Sequence, residues 1–69
     1  LPSPAKDHVR MDNLPQDCKL RTISDICGRE VMNCNAAANR INVEKLTKGL
    51  YLLTLQCKDK TLTFKFVKE

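Results

Sequence analysis

The chain has 69 residues, a formal net charge of +4, two Phe, one Tyr and no Trp. At that length one domain is the ceiling, and a fold of this size buries only about 60% of the surface its unfolded chain exposes, which argues against a deep catalytic pocket. The basic surplus sits as single Lys and Arg residues between apolar ones. That is the pattern of a solvated strand face, and with so few aromatics it argues against nucleic-acid binding.

The opening, LPSPAKDHVRMD, holds Pro2 and Pro4. Neither can donate a backbone hydrogen bond, so residues 1–6 are expected to form an extended lead-in. Val9 and Met11 alternate with His8 and Arg10, which predicts a half-buried strand. Residues 13–17 read as a Pro/Asx turn. Cys18 to Ile26 reads as a second strand whose alternation is imperfect, because Leu20 and Ile23 fall on opposite parities; a bulge or twist is expected. Gly28 marks a reversal. Arg29 to Cys34 reads as a third strand with Val31 as its firmest apolar residue, and residues 35–39 read as a loop, being too few for a stable helix.

Arg40 to Glu44 reads as a fourth strand with Ile41 and Val43 inward, and Leu46 is expected to plug the core before the turn at Gly49. Leu50 to Cys57 is the expected central strand. Tyr51, Leu53, Leu55 and Cys57 share one face, and Leu50 and Leu52 on the other suggest cover on both sides near Gly49. Lys58 to Lys60 is a polar hairpin turn. Thr61 to Val67 closes the chain, with Leu62, Phe64 and Phe66 inward and Thr61, Thr63 and Lys65 outward. Short strands at this spacing predict an all-β fold of about six to seven strands, an antiparallel sandwich or barrel forming a single domain over residues 1–69. One exposed edge strand would allow a dimer by edge pairing.

Four cysteines, Cys18, Cys27, Cys34 and Cys57, stand nine, seven and twenty-three residues apart. None forms a C-x-x-C, so no zinc-binding or thioredoxin-like spacing is present, and neither a metal nor a cofactor is expected. The even count supports two disulfides in any of three pairings, and it equally supports free buried thiols acting as small apolar residues. No apolar run approaches the roughly 20 residues that span a bilayer, so direct membrane insertion is not expected. The start lacks the apolar core of a secretory leader, and any export signal is expected upstream on a longer precursor.

Three stretches in order resemble one family. PSPAKDHVRMD resembles the opening, ISDICGREV the middle strand–Asp–Gly–basic–x–Val segment, and INVEKLTKGLYLLTLQCKDKTLTFKFVKE the Gly-x-Tyr strand and Lys-rich closing strand of type A C-terminal sorting domains. Those belong to cargo of the type IX secretion system of Bacteroidetes. Arg21 stands where the family usually has an apolar strand residue. The resemblance implies an Ig-like sandwich that is not an enzyme and serves as an export address. It implies outer-membrane partners: a barrel receptor or shuttle, and a sortase-like peptidase that removes the domain. It also implies passage through the periplasm to the cell surface or medium. An Ig-like accessory or adhesion module packed on a neighbouring domain of its own protein is the alternative.

On this reading Pro2, Pro4, Gly28, Gly49 and Tyr51 shape the domain, and Lys65, Val67, Lys68 and Glu69 are the expected contacts for a partner. A terminal extended segment can be captured by strand addition, where backbone bonds give affinity and alternate side chains give specificity.

Overall fold

A computed structural model describes residues 5–11, 17–18, 20–34 and 40–69; the side chains of Leu20 and Cys34 are not described. Pro2 and Pro4, most of the turn at 13–17 and the loop at 35–39 fall outside this set. Six strands are present: β1 (His8–Arg10), β2 (Leu20–Asp25), β3 (Glu30–Cys34), β4 (Arg40–Asn42), β5 (Gly49–Gln56) and β6 (Thr61–Lys68). They form two antiparallel sheets, β1-β4 and β3-β2-β5-β6. The result is all-β, as the strand spacing predicts, and of the two open architectures it is the Ig-like sandwich that the family resemblance implies.

The core follows from period-two alternation. β5 points Tyr51, Leu53 and Leu55 inward, with Cys57 just beyond its end, and all four are buried. β2 adds Ile23 and β6 adds Phe66, while the small sheet contributes Val9 and Ile41, flanked by Met11 and Val43. Val43 is fully buried although it lies one residue past β4, so the inward set of the fourth strand is as expected. The small sheet has two strands and the large one four. Accordingly the inward residues at the large sheet's margins, Met32 on β3 and Leu62 and Phe64 on β6, are only partly buried.

Three expectations are corrected. Val31 is not the inward anchor of β3: it is 41% exposed, and Met32 packs on the core instead. The β2–β3 register shifts between Ile23 and Ser24, with Met32 opposite Ile23 and Glu30 opposite Ser24, so Val31 is the extra residue of a bulge and loses its place in the alternation. The irregularity expected within the second strand therefore lies on its partner. The β2–β5 register runs unbroken from Leu20–Gln56 to Asp25–Tyr51. β2 looks imperfect in sequence because Arg21, not an apolar residue, occupies the inward position and is buried. Finally, the end of the sheet near Gly49 is not covered on both sides, since Leu50 is 43% exposed.

Two local devices explain motif residues. Asp25 ends β2, and its Oδ1 accepts hydrogen bonds from the backbone N–H groups of Cys27 (2.9 Å) and Arg29 (3.0 Å). Its Oδ2 accepts one from Arg29 Nε at 3.0 Å. These bonds, the Arg29 backbone N–H foremost, hold the Asp25 carboxyl below its usual range. Gly28 closes this turn with φ of +86°, a conformation that Cβ-bearing residues resist. In the second device, the Tyr51 hydroxyl donates to the Thr47 carbonyl at 2.7 Å, and the ring stacks on Phe66 at 5.7 Å. Gly49 sets up this latch with a positive φ of 152°.

Candidate docking surface

β6 is the feature around which a surface can be built. It pairs with β5 over eight consecutive positions, from Gly49–Lys68 to Gln56–Thr61, without a register shift. The hairpin that starts it is tight, with Cys57 N–H donating to the Lys60 carbonyl at 2.9 Å. Its inward residues anchor it, above all Phe66. Its outward residues, Thr61, Thr63, Lys65 and Val67, are all exposed.

The expected contact set divides across the two faces. Lys65, Val67 and Glu69 are exposed. Lys68 lies on the inward parity and is buried, with Nζ donating to the main-chain oxygen of Glu69 at 2.7 Å. Its aliphatic stem can cover apolar core while the ammonium reaches the rim. Lys68 thus acts first on its own strand's end.

Register adds residues that the sequence reading missed. Leu50 lies directly opposite Val67 on the outer face. Asp25 is opposite Tyr51, so Ile26, the next residue, continues the row from Leu50. Ile26, Leu50 and Val67 are 71%, 43% and 41% exposed and make an apolar row across one end of the sheet. Next to it lie Ser24, half-buried Leu52 and exposed Lys65, and then the row Thr22–Thr54–Thr63. The outer face therefore grades from hydroxyls to an apolar strip edged by a lysine. The only signal for it in the sequence was the apolar pair Leu50 and Leu52 on the parity opposite Tyr51.

The end of β6 is held by the other end of the chain. Ala5 forms a parallel bridge with Lys68: its N–H donates to the Val67 carbonyl at 2.7 Å, and its carbonyl accepts from Glu69 N–H at 2.8 Å. Ala5 itself is buried. Ala5 thus closes the edge of β6 over Val67 to Glu69.

The cysteines do not build a metal centre among the described residues. Asp17, Cys18 and Cys57 converge, but Cys18 and Cys57 are joined as a disulfide, which removes both thiolates. Cys27 is a free, exposed thiol in the β2–β3 turn. The backbone of Cys34 lies opposite Arg21 at the far end of the same hairpin. At ~3.3 Å per residue the two positions are roughly 15 Å apart, well beyond the ~7 Å that a disulfide tolerates. On the β3 side, a cleft of about 530 Å³ is lined by Val31, Met32, Asn42, Glu44, Lys45 and Leu46.

The family model for the secretion system C-terminal sorting domain matches residues 1–69. No curated protein and no solved structure matches the chain.

Proposed function

The chain belongs to the secretion system C-terminal sorting domain family and is a type IX secretion sorting signal; we propose that it delivers this signal through the outer face of β6 and its neighbours. The family is not an enzyme family, and its members direct export to the cell surface or the medium by engaging the type IX machinery. The observation that carries the proposal is the state of β6: a full-length, unbulged strand, fixed at its end by Ala5, that turns Lys65 and Val67 to solvent beside Leu50.

In this reading residues 1–69 act as one folded unit and make or break no bond. Lys65, Val67 and Glu69, with Leu50 and Ile26, meet an outer-membrane barrel component. Lys68 holds the end of β6 in place for them. A desolvated apolar strip supplies most of the affinity, and a rim lysine acts mainly on encounter rate. A sortase-like peptidase cuts upstream of the strands. Passage through the periplasm is supported by the Cys18–Cys57 disulfide, a bond suited to an oxidising compartment.

The test is transplantation. Residues 1–69 fused to a periplasmic reporter should send it to the surface in a type IX-competent cell, and the same fusion with Lys65→Glu and Val67→Asp should stay in the periplasm while keeping its melting temperature. Equal surface delivery by both fusions would refute the assignment of the face.

A further inference from the structure

We infer that the outer face of the large sheet is complementary to itself and pairs with the same face of a second copy of this chain, in a weak two-fold dimer that covers the apolar strip until a receptor takes it. The dimer is a property of the isolated chain; only the competition with a receptor rests on the sorting reading.

Charge is spread unevenly over the domain. The chain holds twelve Lys and Arg and eight Asp and Glu. Yet among the described outward positions of the four strands only Glu30 and Lys65 are charged, one on each edge strand, and both are exposed. The central strands β2 and β5 turn out Thr22, Ser24, Leu50, Leu52, Thr54 and Gln56. Depletion of charge at the centre of a patch is the compositional mark of a protein interface.

Register puts the two charges on one row. Glu30 is opposite Ser24, Ser24 is opposite Leu52, and Leu52 is opposite Lys65. The row thus has an acid at one end and a base at the other. A two-fold axis running along the strands, between β2 and β5, carries β3 of one copy over β6 of the other and keeps each row at its own height. Glu30 then meets Lys65 of the second copy, and Lys65 meets its Glu30. The same operation sets Ile26 over Leu50 twice, at 71% and 43% exposure, and Thr22 over Thr54 twice. A two-fold interface requires every contact to recur reciprocally in this way. An axis across the strands, through the charged row, would stack Lys65 on Lys65 and Glu30 on Glu30. Charge therefore selects the first orientation. Aligned sheets pack about 10 Å apart and about 30° off parallel, a gap that long Lys and Glu side chains span.

Size decides the strength. At ~4.8 Å between strands and ~3.3 Å per residue, the face covers roughly 500 Å² per copy, or about 1,000 Å² over both, short of the ~1,200 Å² at which standard stable interfaces begin. The dimer is accordingly transient. Ile26 and Leu50 cannot serve a second copy and a receptor at once, so a receptor competes the dimer apart.

The test is sedimentation equilibrium with an NMR dilution series, on the chain carrying Cys27→Ser to remove the exposed thiol as a source of disulfide-linked pairs. Dilution from millimolar to low micromolar concentration should move the amides of Ser24, Leu52 and Thr54 together, as the mass falls from dimer toward monomer. Glu30→Lys alone and Lys65→Glu alone should each weaken the dimer about fivefold or more, because each sets two like-charged pairs across the interface. Mixing the two variants should restore it, since both pairs in the mixed dimer are again opposite in charge. Should a single variant lose its native spectrum, the double variant Glu30→Lys with Lys65→Glu decides the matter, and it should dimerise like its parent. A chain that stays monomeric at millimolar concentration, dilution shifts centred on a strand edge, or no rescue on mixing or in the double variant would overturn the inference. Any of these with surface delivery of the reporter intact would remove the dimer and leave the sorting reading standing.

Discussion

The large sheet has two edges, and they are built differently. β3 is five residues long, bulged at Val31 and shifted in register against β2. β6 is eight residues long, in unbroken register with β5, and closed at one end by Ala5. A bulge disrupts the row of donors and acceptors that a foreign strand would need, so β3 is a protected edge. β6 has no such defect and is kept in order by Phe66 beneath it and Ala5 beside it. One edge is thus closed to pairing by irregularity, and the other is regular enough to be recognised.

The contrast can be broken most forcefully through the core. Phe66→Ala removes a ring that is almost fully buried and stacked on Tyr51, and should cost about 3–5 kcal/mol in urea unfolding. Val31→Ala, on the exposed bulge, should change stability by no more than about 0.5 kcal/mol. Comparable losses for the two would mean that the edges are not differently anchored. The disulfide comes next. It closes 39 residues and ties the end of β5 to the approach to β2, so replacing Cys18 and Cys57 by Ala should cost about 2–4 kcal/mol. Ellman titration should then report Cys27 as reactive in the native oxidised chain.

A smaller effect is expected where the two ends meet. Ala5→Pro deletes the N–H that bonds the Val67 carbonyl, for about 1 kcal/mol, and should speed amide exchange at Glu69 while leaving β5 and β3 unchanged. The smallest effect concerns the turn leading into β3. The Asp25 carboxyl is held below its usual range, so its stabilising contribution is present above the ordinary Asp value near 4 and disappears as pH falls through the lower folded value. Asp25→Asn should flatten the melting-temperature profile in that acidic window and leave the profile above about pH 5 parallel to wild type.

Much of this arrangement was legible in the sequence because the alternation of apolar residues is strict where it matters. Tyr51, Leu53, Leu55 and Phe66 are buried as their parity requires, and Gly28 takes the turn assigned to it, while Gly49, expected in a turn, opens β5 opposite Lys68 with a positive φ. What the pattern concealed has physical causes. Val31 stands in an apolar position of a strand whose register slips, and local alternation does not show a slip that depends on the partner. Arg21 fills an inward site and breaks the pattern without breaking the strand. Leu50 suggested a covered face because apolar residues usually mean burial, yet its register opposite Val67 puts it in an open strip. Lys65 and Lys68 were expected together as partner contacts although they differ in parity, and the hold of Ala5 on Val67 to Glu69 is a contact between distant parts of the chain that no local pattern encodes.

The most direct measurement sets the two sides of the sheet against each other in cells. A reporter fused to residues 1–69 would carry either Leu50→Asp with Val67→Asp on the β5–β6 face, or Val31→Asp on the β3 bulge, and the surface-to-periplasm ratio would be quantified for folded protein of each. The first variant should accumulate in the periplasm and the second should reach the surface like wild type. Retention of the β3 variant, or normal delivery of the β5–β6 variant, would contradict the claim that β6 and its neighbours carry the signal.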